Sequence, residues 1–509
     1  MTAKDPTLWG LAAPAIKDAL RKISDQVVTA KKIGKYSALP TLEETPQGNF
    51  HQFGTNYRTL DYRKVFELDG KYRTSPHAYS EIEGYAGLLE YVFSKPRYAA
   101  FHGWDGDESD ELGKRMVKFG TIDLVIEIAA RHAHERGLEF DDDYAFARFL
   151  EMEAWWQGGN LPIQLVIPIV GISFENDLIQ LSEEVEIARI SDSDHLARVA
   201  GLQPYQRDAW LIRACTHAIV INDGSCINWP RSMGREEWNG FPYETVDQVI
   251  QAVSIATTTP TGYHQICYLP TGWSPGYTEK LGLLRHAFTV TRESQKLDPS
   301  VESPSTTLDS AKASDVAQLY KALVETNPQA SLAARRLQLA SLRTDELDEI
   351  VDLCVGIEAL LGGTQVGDTT YKLAVRGAAV LARIGFMNSA RIADLIKKVY
   401  AYRSYIVHGQ VKHEKKRLVA INGEKHPATG IAQYILTQLL GVMLKNPTLL
   451  DEIDDDKVIF SLIDEWSARS TDSPTSTEND QEIENPSGGQ EMRNDEAGGH
   501  EGGGATRGR

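Results

Sequence analysis

The stretch Ala390-Arg-Ile-Ala-Asp-Leu-Ile-Lys-Lys-Val-Tyr-Ala-Tyr-Arg-Ser-Tyr-Ile-Val-His-Gly409 decides how the second half of the chain is read. Its apolar residues Ile392, Leu395, Ile396, Val399, Tyr402 and Ile406 recur at spacings of three and four, which is the pattern of one buried helix face. Gly409 stands where a left-handed residue ends such a helix. Arg403 and His408 fall in its last turns, flanking the buried stripe. A guanidinium and an imidazole near one helix end can bind a phosphate and move a proton. The spacing alone is unspecific, because Arg97 and His102 repeat it.

Working outward, 509 residues are too many for one core and predict two to four domains. With 42% hydrophobic and 24% charged residues the composition is that of a globular protein. The first residues, Met1-Thr-Ala-Lys-Asp-Pro6, carry no apolar signal core, and the most apolar run, Leu161–Ile172, is broken by Pro162, Gln164 and Pro168. Four cysteines (Cys215, Cys226, Cys267, Cys354) show neither disulfide density nor zinc spacing. The expectation is a cytoplasmic protein without a membrane segment. A net charge of −18 argues against a nucleic-acid coat, but the charge is uneven. Residues 371–425 hold 12 Lys/Arg against Asp394, Glu414 and Glu424, whereas residues 451–509 hold 16 acids against 5 bases. A basic run of this kind is either a solvated face or a contact surface for a polyanion.

Taken in order, residues 1–158 read as a mainly helical segment, with helices over Leu11–Val28 and Phe119–Arg136. The acidic run Asp105–Glu111 lacks the glycine and glutamate of a calcium loop, so a solvated turn leading into a helix is expected. His132 and His134, two apart on a helix, face different ways and do not suggest a metal. Residues 159–300 change to strand patterns at Gln164–Phe174, Ile179–Ile187, Ala218–Ile221, Gln265–Leu269 and Ala287–Thr291, with helical patterns at Asp194–Ala200 and Thr245–Ala256. That predicts a mixed α/β or β-rich regulatory domain. The Ser/Pro/Thr-rich run 292–310 reads as a linker. Helices are expected at Ala311–Thr326, Leu332–Leu342, Asp345–Leu361, Tyr371–Ile384, Ala390–His408, Gly430–Leu444 and Asp451–Trp466, joined by short connections as in a bundle over 305–468. Gly362–Thr369 mimics a phosphate loop but has Asp368 in place of its lysine and follows a helix. Residues 469–509 have almost no large apolar side chains and are expected to be disordered. The predicted fold class is therefore multidomain α+β.

Three segments in this order, Asp348-Glu-Ile-Val-Asp-Leu-Cys-Val-Gly-Ile-Glu-Ala-Leu-Leu361, Tyr371-Lys-Leu-Ala-Val-Arg-Gly-Ala-Ala-Val-Leu381 and Arg403-Ser-Tyr-Ile-Val-His-Gly409, resemble the Apea-like branch of the HEPN superfamily. The resemblance covers about a third of the chain. It implies a four- to five-helix bundle that dimerises and, in catalytic members, cleaves RNA through an Arg-x4–6-His motif without metal or cofactor. Arg403 and His408 are the motif ends. Ser404 stands where active members often have Asn, Asp or His. The implied partners are RNA, a second copy of the chain, and an unknown trigger bound by the N-terminal region. Many relatives act as toxin-like effectors in bacterial antiphage defence.

In the implied reaction a ribose 2′-hydroxyl attacks the adjacent phosphate, His408 moves the proton and Arg403 stabilises the phosphorane. Ser404, Glu358 and Arg376 are candidate supporting residues, Glu358 either orienting Arg376 or Arg403 or facing solvent. Lys397, Lys398, Lys412, Lys415, Lys416 and Arg417 are candidate RNA contacts. Five residues along an ideal helix turn through about 140°, so Arg403 and His408 meet only if the last turn loosens or two copies share one cleft. The competing reading is a non-catalytic dimerisation or nucleotide-binding module, in which the pair complements the helix dipole.

Overall fold

The computed structural model describes residues 3–471, except 33, 35, 40, 45–50, 54–56, 68–80, 201–213, 228–236, 239, 240, 280, 290–305, 363–368, 386, 387, 410–414 and 454. The tail from 472 onward, most of the loop that mimics a phosphate site, and Lys412 lie outside these residues.

The N-terminal part packs α1 (Pro6–Lys32), α2 (Tyr85–Ser94), α3 (Pro96–Phe101), α4 (Glu111–Glu135) and α5 (Asp142–Gln157) around a core of its own. The acidic turn does what its sequence suggests: Asp110 caps α4 by accepting the Gly113 N–H, and Asp107 accepts the Ser109 N–H. The segment is less purely helical than expected. Two antiparallel pairs, β1 (Tyr36–Leu39) with β4 (Tyr57–Leu60) and β2 (Leu42–Glu44) with β3 (His51–Phe53), interrupt it.

The middle part is built on one antiparallel sheet. Its strands are β5 (Asn160–Val170), β7 (Leu178–Gln180), β8 (Val185–Arg189), β9 (His217–Ile227), β12 (Gln265–Pro270) and β13 (Arg285–Thr289), in the order β13-β12-β5-β9-β8-β7. Short strands β10 (Glu237–Trp238) and β11 (Gly262–Tyr263) pair with β9 and β5, and β6 (Ile172–Phe174) follows β5. Alternation decides the two faces of β5. Ile163, Leu165, Ile167 and Ile169 enter the main core, while Val166 joins Cys267 and Ala218 in a separate cluster behind the sheet. The connecting helices are α6 (Asp192–Ala200) and α7 (Tyr243–Thr257).

The end of the expected linker is structured: β14 (Thr306–Leu308) lies parallel to β6. Then come α8 (Ser310–Val324), α9 (Pro328–Leu342), α10 (Glu346–Leu361), α11 (Thr369–Ala382), α12 (Ser389–Val407), a hairpin of β15 (Leu418–Ile421) and β16 (Glu424–Pro427), α13 (Ala428–Lys445), α14 (Thr448–Glu452) and α15 (Asp456–Thr471). Side-chain caps start several of them: Asp309, Asn327, Asp345 and Asn388 each accept a first-turn N–H. Helix α7 packs on α8 and α9, and a single apolar core runs from the inner face of the sheet into the helices beyond 305. Deleting a side chain from that core, such as Leu353, would cost about 2–5 kcal/mol. No helix among the described residues is long and apolar enough to cross a membrane.

Candidate active site

Helix α12 buries Ile392, Leu395, Ile396, Val399 and Tyr402 of its apolar stripe, with Tyr400 beside them, while Ile406 at the stripe's end is only partly buried. Its neighbour α11 comes close because Gly377 has no side chain; a Cβ there would meet the Ile396 Cδ1 at 2.5 Å. The helix is regular as far as Val407, and its C-cap His408 leaves helical geometry at φ −88 and ψ 7. The His408 N–H donates to the Ser404 carbonyl at 3.1 Å, and Gly409 follows at φ +63, its N–H bonded to the Ile406 carbonyl. An α-helical last turn leaves Arg403 and His408 about 140° apart around the axis. The loosened turn that would bring them together within one chain is not what this helix does.

Arg403 is half-buried, its side chain 29% exposed, facing the 31%-exposed Glu358 from α10 with Nη2 3.9 Å from Oε1. Its Nε is buried with no hydrogen-bond partner. Beneath it the Tyr400 hydroxyl donates to the Cys354 carbonyl at 2.9 Å. Burial, with Cys354 and Glu358 adding, pushes the Tyr400 phenol far up. Burial, helped by Glu358 and opposed by Arg403, does the same to the Cys354 thiol. Both therefore stay protonated at neutral pH, so neither supplies a nucleophile or a base. His408 is exposed at the helix cap, and Ser404 is half-buried.

Of the supporting candidates Glu358 and Arg376, Glu358 faces Arg403. Arg376 is buried and donates through Nη1 to the carbonyls of Leu361 (2.8 Å) and Gly362 (3.0 Å), closing the C-terminal end of α10. These carbonyls have no partner within their own helix, so a guanidinium there is a structural cap. The basic residues are exposed but partly engaged. Lys398 pairs with Asp394 at 2.7 Å, Lys397 lies over the Tyr371 ring at 5.9 Å, and Arg417 bonds Glu346 at 2.7 Å. Lys415 and Lys416 are exposed beside the hairpin.

That hairpin went unread in the sequence, although Asn422-Gly423 between Val419, Ile421 and Lys425 is a strong two-residue turn signal. Both turn residues have positive φ, and Asn422 receives a hydrogen bond from Arg391 at the start of α12. The competing match, Arg97 with His102, is structural: His102 is fully buried and Arg97 donates to the Gln157 carbonyl.

A second polar cluster was also not anticipated. Where α4 meets the loop after β12, Arg63 binds Asp61 (3.0 Å) and Glu127 (3.2 Å), and Glu127 accepts the Tyr277 N–H. His134 stands 3.3 Å from Glu279. Burial pushes the Glu127 carboxyl up against the pull of Arg63, and holds the His134 imidazole down to about 4, so His134 is neutral at pH 7. The groups satisfy one another, and this reads as an ionic joint between the N-terminal and middle parts. Among the described residues no group of three or more His, Cys, Asp or Glu could hold a metal ion.

Compared with known protein families, with curated proteins and with solved structures, the chain matches none.

Proposed function

We propose that the C-terminal helices form an Apea-like HEPN domain that cleaves RNA without a metal, using Arg403 and His408, with the N-terminal and middle parts as its sensor. The observation that carries this reading is the state of Arg403. It lies at the surface end of a buried helix with its side chain 29% exposed, and its carboxylate neighbour among the described residues, Glu358, is 3.9 Å away, so the outward-facing donors of the guanidinium remain for a phosphate. His408, exposed five residues on, supplies proton transfer.

Because α12 is regular to its cap, the two side chains belong to different faces, and the working site is assembled from Arg403 of one copy and His408 of another. The partners that follow are RNA and a second copy of this chain. Lys415 and Lys416, exposed after the motif, are basic contacts for the RNA. A role in antiphage defence rests on the resemblance. The same regular helix also supports the second reading, a non-catalytic dimerisation module, in which Arg403 and His408 only complement the helix end.

Mixing separates the two. Arg403→Ala and His408→Ala homodimers are each expected to be inactive on RNA. A subunit-exchanged mixture contains heterodimers with one intact composite site and should regain up to about a quarter to a half of wild-type cleavage. A mixture as inactive as its components, with exchange demonstrated, would rule out the shared site.

A further inference from the structure

A cleft opens where the inner face of the sheet runs out from beneath the helices. Its volume is about 280 Å³. Its floor is apolar, made by Ile163, Leu165, Val185 and Ile221, which belong to the main core. Its walls are Phe241 and Pro242, leading into α7, and Tyr320 from α8. The β5–β9 register shifts between Ile163 and Leu165, opposite Gly224. Any side chain at Gly224 would bring its Cβ to 2.9 Å from the Ile163 carbonyl, so glycine is what permits this bulge at the mouth of the cleft.

The rim has a charge of one sign. Glu184 and Asp223 are exposed, and their segments are held side by side because the Asn222 N–H donates to the Glu184 carbonyl at 2.9 Å. Ser182, Ser225 and Thr245 add hydroxyls, and among the described residues no Lys, Arg or His lines the cleft. Burial and Glu184 raise the Tyr320 phenol against Ser182, so it remains a neutral aromatic wall at physiological pH.

An apolar floor, two aromatic rings and two carboxylates with no counter-cation among the described residues repel phosphates and favour a positive charge on an apolar body. The volume is at the small end of ligand pockets, which commonly run from about 300 Å³ upward, and is too small for a nucleotide with its hydration. We propose that this cleft binds a small organic cation: an amine or guanidine carried on a short aliphatic or aromatic body. The ammonium group sits between Glu184 and Asp223, and the body lies on Ile163, Leu165 and Val185 between Phe241 and Tyr320. The site is independent of whether the helical part cuts RNA.

The test uses the full chain and four probes at equal ionic strength: phenethylamine, 1,4-diaminobutane, phenylacetate and ATP, each titrated by calorimetry with a parallel melting curve. At least one of the two amines should bind saturably, at about millimolar or tighter, while phenylacetate and ATP do not. Glu184→Gln combined with Asp223→Asn should weaken the amine at least tenfold with an unchanged melting temperature, because both residues are exposed. Thr245→Trp, which fills the cleft, should abolish binding. The proposal is overturned if no amine binds the folded wild type, if phenylacetate binds as well as phenethylamine, or if the charge-neutral variant keeps wild-type affinity.

Discussion

The guanidinium of Arg403 on α12 and the carboxylate of Glu358 on α10 face each other with Nη2 and Oε1 3.9 Å apart. Both are roughly a third exposed, and a long, partly hydrated pair of this kind contributes less than about 1 kcal/mol. Glu358 can hold the guanidinium in place, and a phosphate can displace it at little cost. Glu358→Gln should therefore leave the melting temperature within about two degrees of wild type. RNA binding measured by filter retention should become tighter, since a competing anion is removed. Weaker binding by that variant would mean that Glu358 is essential to the RNA-binding form of Arg403.

A contrasting carboxylate anchors the same helical layer. Asp352, buried on α10, takes Arg336 at 2.6 Å and Arg343 at 2.9 Å from α9 and the residue that caps it. Asp352→Ala removes the buried carboxylate shared by Arg336 and Arg343 at a packed helix contact and should destabilise this layer by about 2 kcal/mol. Asp394→Ala removes an exposed partner from Lys398 and should cost less than about 0.5 kcal/mol. Urea unfolding of the two variants decides this; equal losses would show that burial of Asp352 is not what matters.

His217 carries a pH signature. It is fully buried at the start of β9, with Nδ1 2.9 Å from the Thr216 hydroxyl and Nε2 3.2 Å from the Asn176 carbonyl. Burial, reinforced by Arg189, lowers its pKa from 6.5 to about 4. The unfolded chain thus takes up a proton below pH 6.5 that the folded chain refuses until about pH 4. The corresponding stability is complete above pH 6.5 and is lost as the pH falls to 4, by at most about 3 kcal/mol. The stability difference between wild type and His217→Gln, followed from pH 7.5 to 4.5, should move in favour of the variant on acidification. A difference that does not change with pH would contradict a neutral buried imidazole.

The helical half of the fold was legible because its signals are local. The stripe from Ile392 to Ile406 and the left-handed Gly409 both sit within a turn or two of what they determine. The strands of the middle part were legible from the apolar runs around Gln164, Ala218 and Gln265, though not their order in the sheet. What escaped depends on distant partners. Nothing near Arg376 says that it closes the C-terminal end of α10, and nothing near Thr306 says that it pairs with Ile172. The continuous core from β5 to α8 and beyond likewise has no local mark, since an apolar stripe does not name the surface it meets. The Asn422-Gly423 hairpin is different: its turn signal is local, but it stands between two long helical stretches whose periodicity is stronger.

The central claim is chemical, and the ends of the cleaved RNA test it most directly. Purified full-length protein, with any required trigger supplied by cell extract and with excess chelator present, should cut single-stranded or loop RNA to leave 2′,3′-cyclic phosphate and 5′-hydroxyl ends. Those ends follow from attack by the neighbouring ribose hydroxyl, with His408 moving the proton and Arg403 stabilising the phosphorane. Arg403→Ala and His408→Ala should each lose about a hundredfold or more in rate, whereas Arg97→Ala should not. Products with 5′-phosphate ends, cleavage that stops on chelation, or motif variants as active as wild type would contradict the account.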